Sequence, residues 1–108
     1  MNTKQIIIDS AIATEFKPYF NYSGRGMFGQ KCFGITGNLS EIGKFYFAIM
    51  EALLELKDKN ENEFFDVNEE IQEYLYTFKT DSLGRDTIIY FPELQINQNE
   101  VNVSEIDY

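Results

Sequence analysis

A glycine-rich segment in the first third of the chain carries residue types that could hold a phosphate. It spans residues 22–32, reads YSGRGMFGQKC and places three glycines within six residues. Because glycine adopts positive φ and lets other groups approach the backbone closely, such a segment either turns the chain sharply or brings its amides to a ligand. Its two cations could hold a phosphate, and an aromatic ring could stack on a base. The candidate ligand-binding residues are Tyr22, Gly24, Arg25, Gly26, Met27, Phe28, Gly29 and Lys31.

The glycine spacing matches a dinucleotide-binding fingerprint, but its surroundings do not. The pattern G-x-G-x-x-G runs from Gly24 to Gly29. The fingerprint requires a strand before it and a helix that starts within it, so that the phosphate meets the helix N-terminus. Residues after Gly29 are strand-like and the next helical pattern begins at residue 39, which excludes that fold. Three uses remain: a glycine-rich β-turn, a phosphate-holding loop, or an apolar plug of Met27 and Phe28 for a protein partner.

A second group of reactive side chains consists of carboxylates in the C-terminal half. The pairs Asp66/Glu70 and Glu69/Glu73 stand four residues apart and therefore share a helical face. Without an apolar pocket or neighbouring bases to shift their pKa, we expect them to be solvated and not to act as general acids or bases. A negative strip along a helix can instead present itself to a basic groove much as phosphates do. The predicted partner-binding residues are Glu61, Glu63, Asp66, Glu69, Glu70 and Glu73.

The net charge of −9 is unevenly distributed along the 108 residues. Residues 1–54 carry five bases and four acids, a net of +1, whereas residues 55–108 carry four bases and fourteen acids, a net of −10. Such a surface repels nucleic acid, because Lys and Arg drive phosphate binding. It attracts a basic protein, including one that normally holds nucleic acid. Solubility is the alternative explanation of the charge.

Composition excludes several classes of site. The chain has no His and one Cys, so the usual zinc sites and Ser-His or Cys-His catalysis cannot be assembled within it. The single Cys32 also excludes an internal disulfide and fits a reducing compartment. No apolar run is long enough to cross a membrane, and the first residues lack the apolar region of a signal peptide. We therefore expect a cytoplasmic protein without a metal, a cofactor or a catalytic site.

The N-terminal third predicts strands. The β-branched run of isoleucines predicts a strand over residues 4–8. Pro18 disfavours helix at the residue before it. Aromatic and β-branched residues on both sides of the glycines predict an antiparallel hairpin over residues 19–36, with an irregular tip.

Residues 39–57 give the strongest helical pattern, with Asn38 or Ser40 as its cap. One apolar line has the spacing 3, 4, 3, 4, 3, and it consists of Leu39, Ile42, Tyr46, Ile49, Leu53 and Leu56. A second line of Phe47, Met50 and Leu54 widens the apolar arc. A surface helix does not need so wide an arc, so we expect this helix to contact a sheet and also another element or a second copy of the chain.

The remaining elements are an exposed loop over residues 57–63 and a shorter acidic helix. We expect Asp66 or Asn68 to cap that helix, which ends at about residue 76. A turn over residues 81–86, with Gly84 at positive φ, precedes a strand over residues 87–91 that Pro92 stops. The last residues are polar and acidic and predict a frayed tail, or less strongly an edge strand. The chain is thus predicted to form one domain over residues 1–93 and an acidic tail over 94–108.

These elements predict a small α+β domain, in which an antiparallel sheet packs on one main helix with a shorter acidic helix alongside. The segment YSGRGMFG, followed by Lys31 and Cys32, resembles a segment of small uncharacterised proteins from phages and bacterial genomes. In size, acidity and lack of catalytic residues the chain is similar to phage-encoded inhibitors of bacterial defence, such as anti-CRISPR proteins. The resemblance implies a phage or mobile-element origin and implies no activity.

Three functional hypotheses follow. The first is a non-enzymatic acidic protein that binds and blocks a basic, nucleic-acid-handling host protein through the acidic helix, with the glycine segment as a secondary contact. The second is a module that binds or sequesters nucleotides or cyclic nucleotides through residues 22–31. The third is a structural homo-oligomer, with a homodimer contact through helix 39–57.

Overall fold

The computed structural model describes residues 3–24 and 28–103, and over those residues it contains four strands that form one antiparallel sheet. The strands are β1 (Lys17–Tyr22), β2 (Cys32–Gly37), β3 (Lys79–Leu83) and β4 (Asp86–Phe91), in the order β1-β2-β4-β3. β1 and β3 are therefore the edge strands. The hairpin expected over residues 19–36 and the strand expected over 87–91 are both confirmed.

Period-2 alternation divides the sheet into two apolar faces. On one face, Phe33 pairs with Phe91 and Ile35 pairs with Ile89, and all four side chains are buried in the main core. β3 escaped prediction because its Lys, Thr, Asp and Ser side chains carry no apolar pattern, as is common for an edge strand. The turn that joins β3 to β4 contains Gly84 at a φ of 64°, as the sequence predicts.

The helices lie against the core face of the sheet. They are α1 (Thr3–Ala13), α2 (Ile42–Lys59) and α3 (Glu61–Tyr76). A 3₁₀ turn over Leu39–Glu41 precedes α2, and Asn38 caps it by accepting a hydrogen bond from the Ser40 backbone N–H at 3.0 Å. The main helix expected over residues 39–57 is therefore confirmed, with boundaries two or three residues later. The predicted α+β class is correct.

The strand predicted over residues 4–8 is wrong, because this segment lies within α1. Three consecutive isoleucines, Ile6, Ile7 and Ile8, are all buried there. α1 contacts β1, α2 and α3, so apolar neighbours surround it on several sides. Three consecutive buried residues point in three directions around a helix, so they do not show the 3.6-residue pattern that would identify it.

The exposed loop predicted over residues 57–63 is also wrong. α2 continues to Lys59 and α3 begins at Glu61, so Asn60 is the whole connection. Its side-chain oxygen accepts a hydrogen bond from the Glu63 backbone N–H at 3.1 Å, which caps α3. Asp66 and Asn68, the expected caps, lie inside the helix. The exposure of residues 57–62 was predicted correctly. Their helical structure was missed because a run of polar residues without an apolar repeat has the same appearance in a helix and in a loop.

The frayed tail predicted at the C-terminal end is wrong for residues 94–103. Leu94, Ile96 and Val101 are buried in the main core. The Phe33 backbone N–H donates a hydrogen bond to the Leu94 carbonyl at 2.7 Å, and Lys4 forms a salt bridge with Glu100 at 2.7 Å. This segment runs from the sheet to α1 and closes the core. Nothing in the described part of the chain is a helix long and apolar enough to cross a membrane.

Candidate functional site

The acidic residues of α3 lie on its outer side. The helix contains six acids and no base, whereas Val67 and Ile71 on its inner side are buried. Two lines of side chains run along the outside. The first has the spacing 3, 4, 3 and consists of Glu63, Asp66, Glu70 and Glu73. The second has the spacing 4, 4, 3, 4 and consists of Glu61, Phe65, Glu69, Gln72 and Tyr76.

The carboxylates of α3 differ in whether they form hydrogen bonds within the protein. Glu70 accepts hydrogen bonds from the Thr3 hydroxyl at 3.3 Å and from the Tyr74 hydroxyl at 3.2 Å, which tie α3 to α1 and to its own last turn. Burial, followed by the charge of Glu70, raises the pKa of the Tyr74 hydroxyl, so Tyr74 keeps its proton. Within residues 3–24 and 28–103, Glu69 and Glu73 form no salt bridge. They are therefore available for a partner.

A groove of about 1000 Å³ opens between α2 and α3, and we call it the hairpin groove. Its apolar side chains come from both helices and from the residues that follow α3, and three glutamates lie on its wall. It is lined by Tyr46, Ile49, Met50, Glu69, Gln72, Glu73, Leu75, Tyr76, Thr77, Phe78 and Glu93. Since Met50 and Gln72 line the same groove on either side of the Asn60 connection, the two helices form an antiparallel hairpin.

Two exposed apolar side chains line the hairpin groove, Met50 on α2 at 58% exposure and Tyr76 on α3 at 91% exposure. Phe47, Leu54 and Phe65 are also exposed but do not line it, and Leu54 lines the cleft between α1 and α2 instead. The expectation that α2 contacts another element besides the sheet is confirmed, because α2 packs against both α1 and α3. The second apolar line of α2 nevertheless faces solvent. Contact of this line with a second copy of the chain stays a prediction.

Sequence reasoning found the acids and missed the aromatics among them. Phe65 and Tyr76 were not identified as candidate site residues, although the 4, 3, 4 spacing through Glu69 and Gln72 carries the signal. Aromatic residues in a helix are usually assigned to its buried face, and the sequence does not show which face that is. The burial of Val67 and Ile71 settles it.

The N-terminal end of the glycine segment, at Tyr22 and Gly24, packs against the sheet. Tyr22 is only 4% exposed, its ring packs on Tyr90 with centroids 4.9 Å apart, and its hydroxyl donates a hydrogen bond to Asp81. Of the two rings that could stack on a base, Tyr22 is therefore buried, and Phe28 is the exposed one. Gly24 is buried against the same Tyr90, because a methyl at that position would lie 2.8 Å from the ring. Close packing, and not ligand approach, accounts for this glycine.

The described residues at the far end of the segment include two in the left-handed region. Phe28 is 98% exposed at a φ of 50°, and Gly29 follows at a φ of 81°, in the left-handed region that glycine favours. The Lys31 carbonyl accepts a hydrogen bond from the Gln95 side chain at 2.6 Å, which ties the end of the glycine segment to the C-terminal residues 94–103. Arg25, Gly26 and Met27, the other predicted ligand-binding residues, lie outside the described residues.

Comparisons with known proteins found no match for this chain. No protein-family model, curated protein or solved structure matches it. In the described part of the chain, no group of three or more metal-binding side chains comes together. The site is therefore characterised by its own geometry, which is an acidic helix beside an open apolar groove.

Proposed function

We propose that this chain is a non-enzymatic acidic protein that binds a basic, nucleic-acid-handling protein and blocks its nucleic-acid site. The contact surface is the outer side of α3, including all six acids predicted from the sequence. The observation that carries the proposal is that α3 has six acids and no base, and exposes five of the six beside an open apolar groove. The similarity in size, acidity and lack of catalytic residues to phage-encoded inhibitors of bacterial defence makes a bacterial defence component the favoured partner.

Charge repulsion within α3 supports this assignment. Acids three or four residues apart on a helix destabilise it by about 0.2–0.5 kcal/mol a pair, and α3 contains several such pairs. Glu73 adds to the cost because a negative charge in the last turn opposes the helix dipole. A basic partner would relieve both terms on binding. Solubility alone does not require the acids to be concentrated on one helix.

The spacing of the acids suits a surface that normally holds phosphates. The line from Glu63 to Glu73 is about 15 Å long at a rise of 1.5 Å a residue, and it carries four charges. A DNA strand carries a phosphate about every 3.4 Å of its axis. The two charge densities are of the same order, so α3 can compete for Lys and Arg side chains that contact phosphates.

Capture from a bacterial lysate, followed by competition with DNA, tests the proposal. We expect the immobilised chain to capture a basic protein at low salt, and we expect added chain to release that protein from duplex DNA. The affinity should fall steeply between 50 and 300 mM NaCl, because the contact is between charges. A captured protein that keeps its DNA while bound would contradict the blocking role.

A pair of charge-reversal variants locates the contact. Glu69→Lys with Glu73→Lys changes the charge of α3 without removing the hydrogen bonds that Glu70 makes. The matched control, Glu15→Lys with Asp86→Lys, changes the net charge equally at exposed positions outside α3. We expect only the first variant to lose binding. Equal loss in both variants would mean that net charge, and not α3, attracts the partner.

A further inference from the structure

We infer that the partner inserts a basic amphipathic helix into the hairpin groove. This inference rests on the proposed function, because it names the element of the basic partner that contacts the acidic helix. Met50 of α2 lies on one side of the docking surface, and Glu69, Gln72 and Tyr76 of α3 lie on the other. The partner's apolar side chains lie on the groove floor, and its Lys and Arg side chains reach the acids on the rim.

The groove favours a helix over an extended peptide for a reason of hydrogen bonding. α2 and α3 satisfy their own backbone groups, so the walls of the groove offer side chains and no free ladder of N–H and C=O groups. An extended peptide bound there would bury peptide groups without partners, and each unpaired group costs about 1–3 kcal/mol. A helix brings its own backbone hydrogen bonds and buries only side chains.

The apolar lining of the groove has the spacing of a helix-binding surface. On α2 it consists of Tyr46, Ile49 and Met50, at positions i, i+3 and i+4, and Leu75 and Tyr76 line it from α3. A third helix laid along a pair of helices contacts them through anchors with this same repeat. Methionine suits such a surface, since its flexible side chain adapts to the occupant.

Charge complementarity decides between a basic partner and a second copy of this chain. Glu69, Glu73 and Glu93 line the groove. A second copy docked on the groove would bring two helices with six acids each into contact, at a cost of repulsion across the interface. A helix with Lys or Arg on both flanks of its apolar face pairs with these acids instead.

A pair of peptides of equal composition tests the inference with the intact chain. The first is an 18-residue peptide of Leu and Lys, patterned so that all Leu share one helical face; the second has the same residues in an order without that face. We expect the patterned peptide to bind at least tenfold more tightly in a calorimetric titration, because only it can bury its Leu side chains while its Lys side chains pair. It should also gain helical circular dichroism on binding.

Two variants separate the groove from the charge. The double variant Met50→Ser with Tyr76→Ser should lower the affinity for the patterned peptide at least tenfold, since it removes the two exposed apolar side chains that line the groove. Phe28→Ser, the matched control, removes a fully exposed apolar side chain elsewhere and should leave the affinity unchanged. Both substitutions are at exposed positions, so folding is retained, and thermal unfolding confirms it.

The outcomes distinguish this inference from the proposed function. If both peptides bind equally, or if the groove variant binds the patterned peptide like the parent chain, the groove inference is wrong. The proposed function would still stand if the double variant Glu69→Lys with Glu73→Lys no longer bound the basic protein captured from the lysate. It would fail if that variant bound the captured protein as the parent chain does. A dimer in light scattering that Met50→Ser with Tyr76→Ser dissociates would identify a second copy as the occupant and overturn the inference.

Discussion

The Tyr22 hydroxyl donates a hydrogen bond to the Asp81 carboxylate, and this contact joins the two edge strands of the sheet. Tyr22 lies on β1 and Asp81 on β3, with β2 and β4 between them. Between these ends, the Tyr22 ring packs on Tyr90 of β4, and with Cys32 and Ile88 it forms a second apolar cluster on the face opposite the helices. The base of the glycine segment is thereby fixed to the far edge of the sheet.

Replacement of Tyr22 by Phe tests this contact. The change removes one hydroxyl and leaves the half-buried Asp81 carboxylate without that donor, so we expect a loss of about 1–3 kcal/mol in the free energy of unfolding. Urea denaturation measures the loss. Tyr19→Phe is the matched control on the same strand, because Tyr19 is half exposed, and it should change stability by less than about 0.5 kcal/mol. A Tyr22→Phe variant as stable as the parent would show that the contact contributes nothing.

The same residue predicts a loss of stability in alkali. Burial, followed by the hydrogen bond to Asp81 and its charge, raises the pKa of Tyr22 above the ordinary value of about 10. Below about pH 10, Tyr22 is protonated in both states and its contribution to the free energy of unfolding is complete. Above that pH, Tyr22 loses its proton in the unfolded chain first, so the free energy of unfolding falls as pH rises. Tyr46 and Tyr74 shift in the same direction and add to the fall.

Comparison with Tyr22→Phe isolates this contribution. The stability difference between the parent chain and the variant should be constant from pH 7 to about 9 and should shrink above pH 10, because only the parent chain has the Tyr22 hydroxyl to ionise. Urea denaturation at each pH measures it. A difference that stays constant to pH 11 would contradict the raised pKa.

Two glycine substitutions should change stability in opposite directions. Gly24→Ala places a methyl 2.8 Å from the Tyr90 ring, so we expect a loss of about 1–3 kcal/mol. Gly43 lies in α2 with nothing within 4 Å of the added methyl, so Gly43→Ala should gain about 0.5–1 kcal/mol through helix propensity. Thermal unfolding of both variants measures the contrast. A neutral Gly24→Ala would mean that the Tyr90 ring moves aside at no cost.

Replacement of Tyr46 by Phe should stabilise the protein. The Tyr46 hydroxyl is buried and has no hydrogen-bond partner among the described residues, and burial raises its pKa. Since a buried unpaired hydroxyl is unfavourable, its removal should raise the free energy of unfolding by about 1 kcal/mol. The outcome is opposite to that of Tyr22→Phe, although both variants lose the same atom. A loss of stability would show that the hydroxyl has a partner after all.

The sequence predicted the elements whose pattern is local. The helix beginning near residue 39 and the strand at 87–91 carry their own periodicity, and Gly84 identifies its turn through the φ that only glycine adopts readily. The α+β class follows from these elements. The acids of α3 were likewise identified from spacing alone, because charge is a property of composition and does not depend on contacts.

The elements that were mispredicted are those whose pattern depends on distant neighbours. α1 looks like a strand because apolar partners surround it, and residues 94–103 look like a frayed tail because Leu94, Ile96 and Val101 are scattered among polar residues. Their burial requires a sheet and a helix that are far away in sequence. No window of the chain contains that information, since hydrophobic burial is decided by which surfaces meet.

The candidate site divides in the same way. The sequence by itself determined that the second half is acidic and that Glu69, Glu70 and Glu73 lie on one helix, whereas it assigned Glu61 and Glu63 to a loop that the structure shows to be the start of α3. Only the tertiary structure decided that α2 and α3 leave a groove between them, that Tyr22 is inside the sheet, and that Met50 and Tyr76 face solvent. The physical reason is that side-chain spacing fixes which residues share a face of an element, whereas packing of that element against others fixes which face remains exposed.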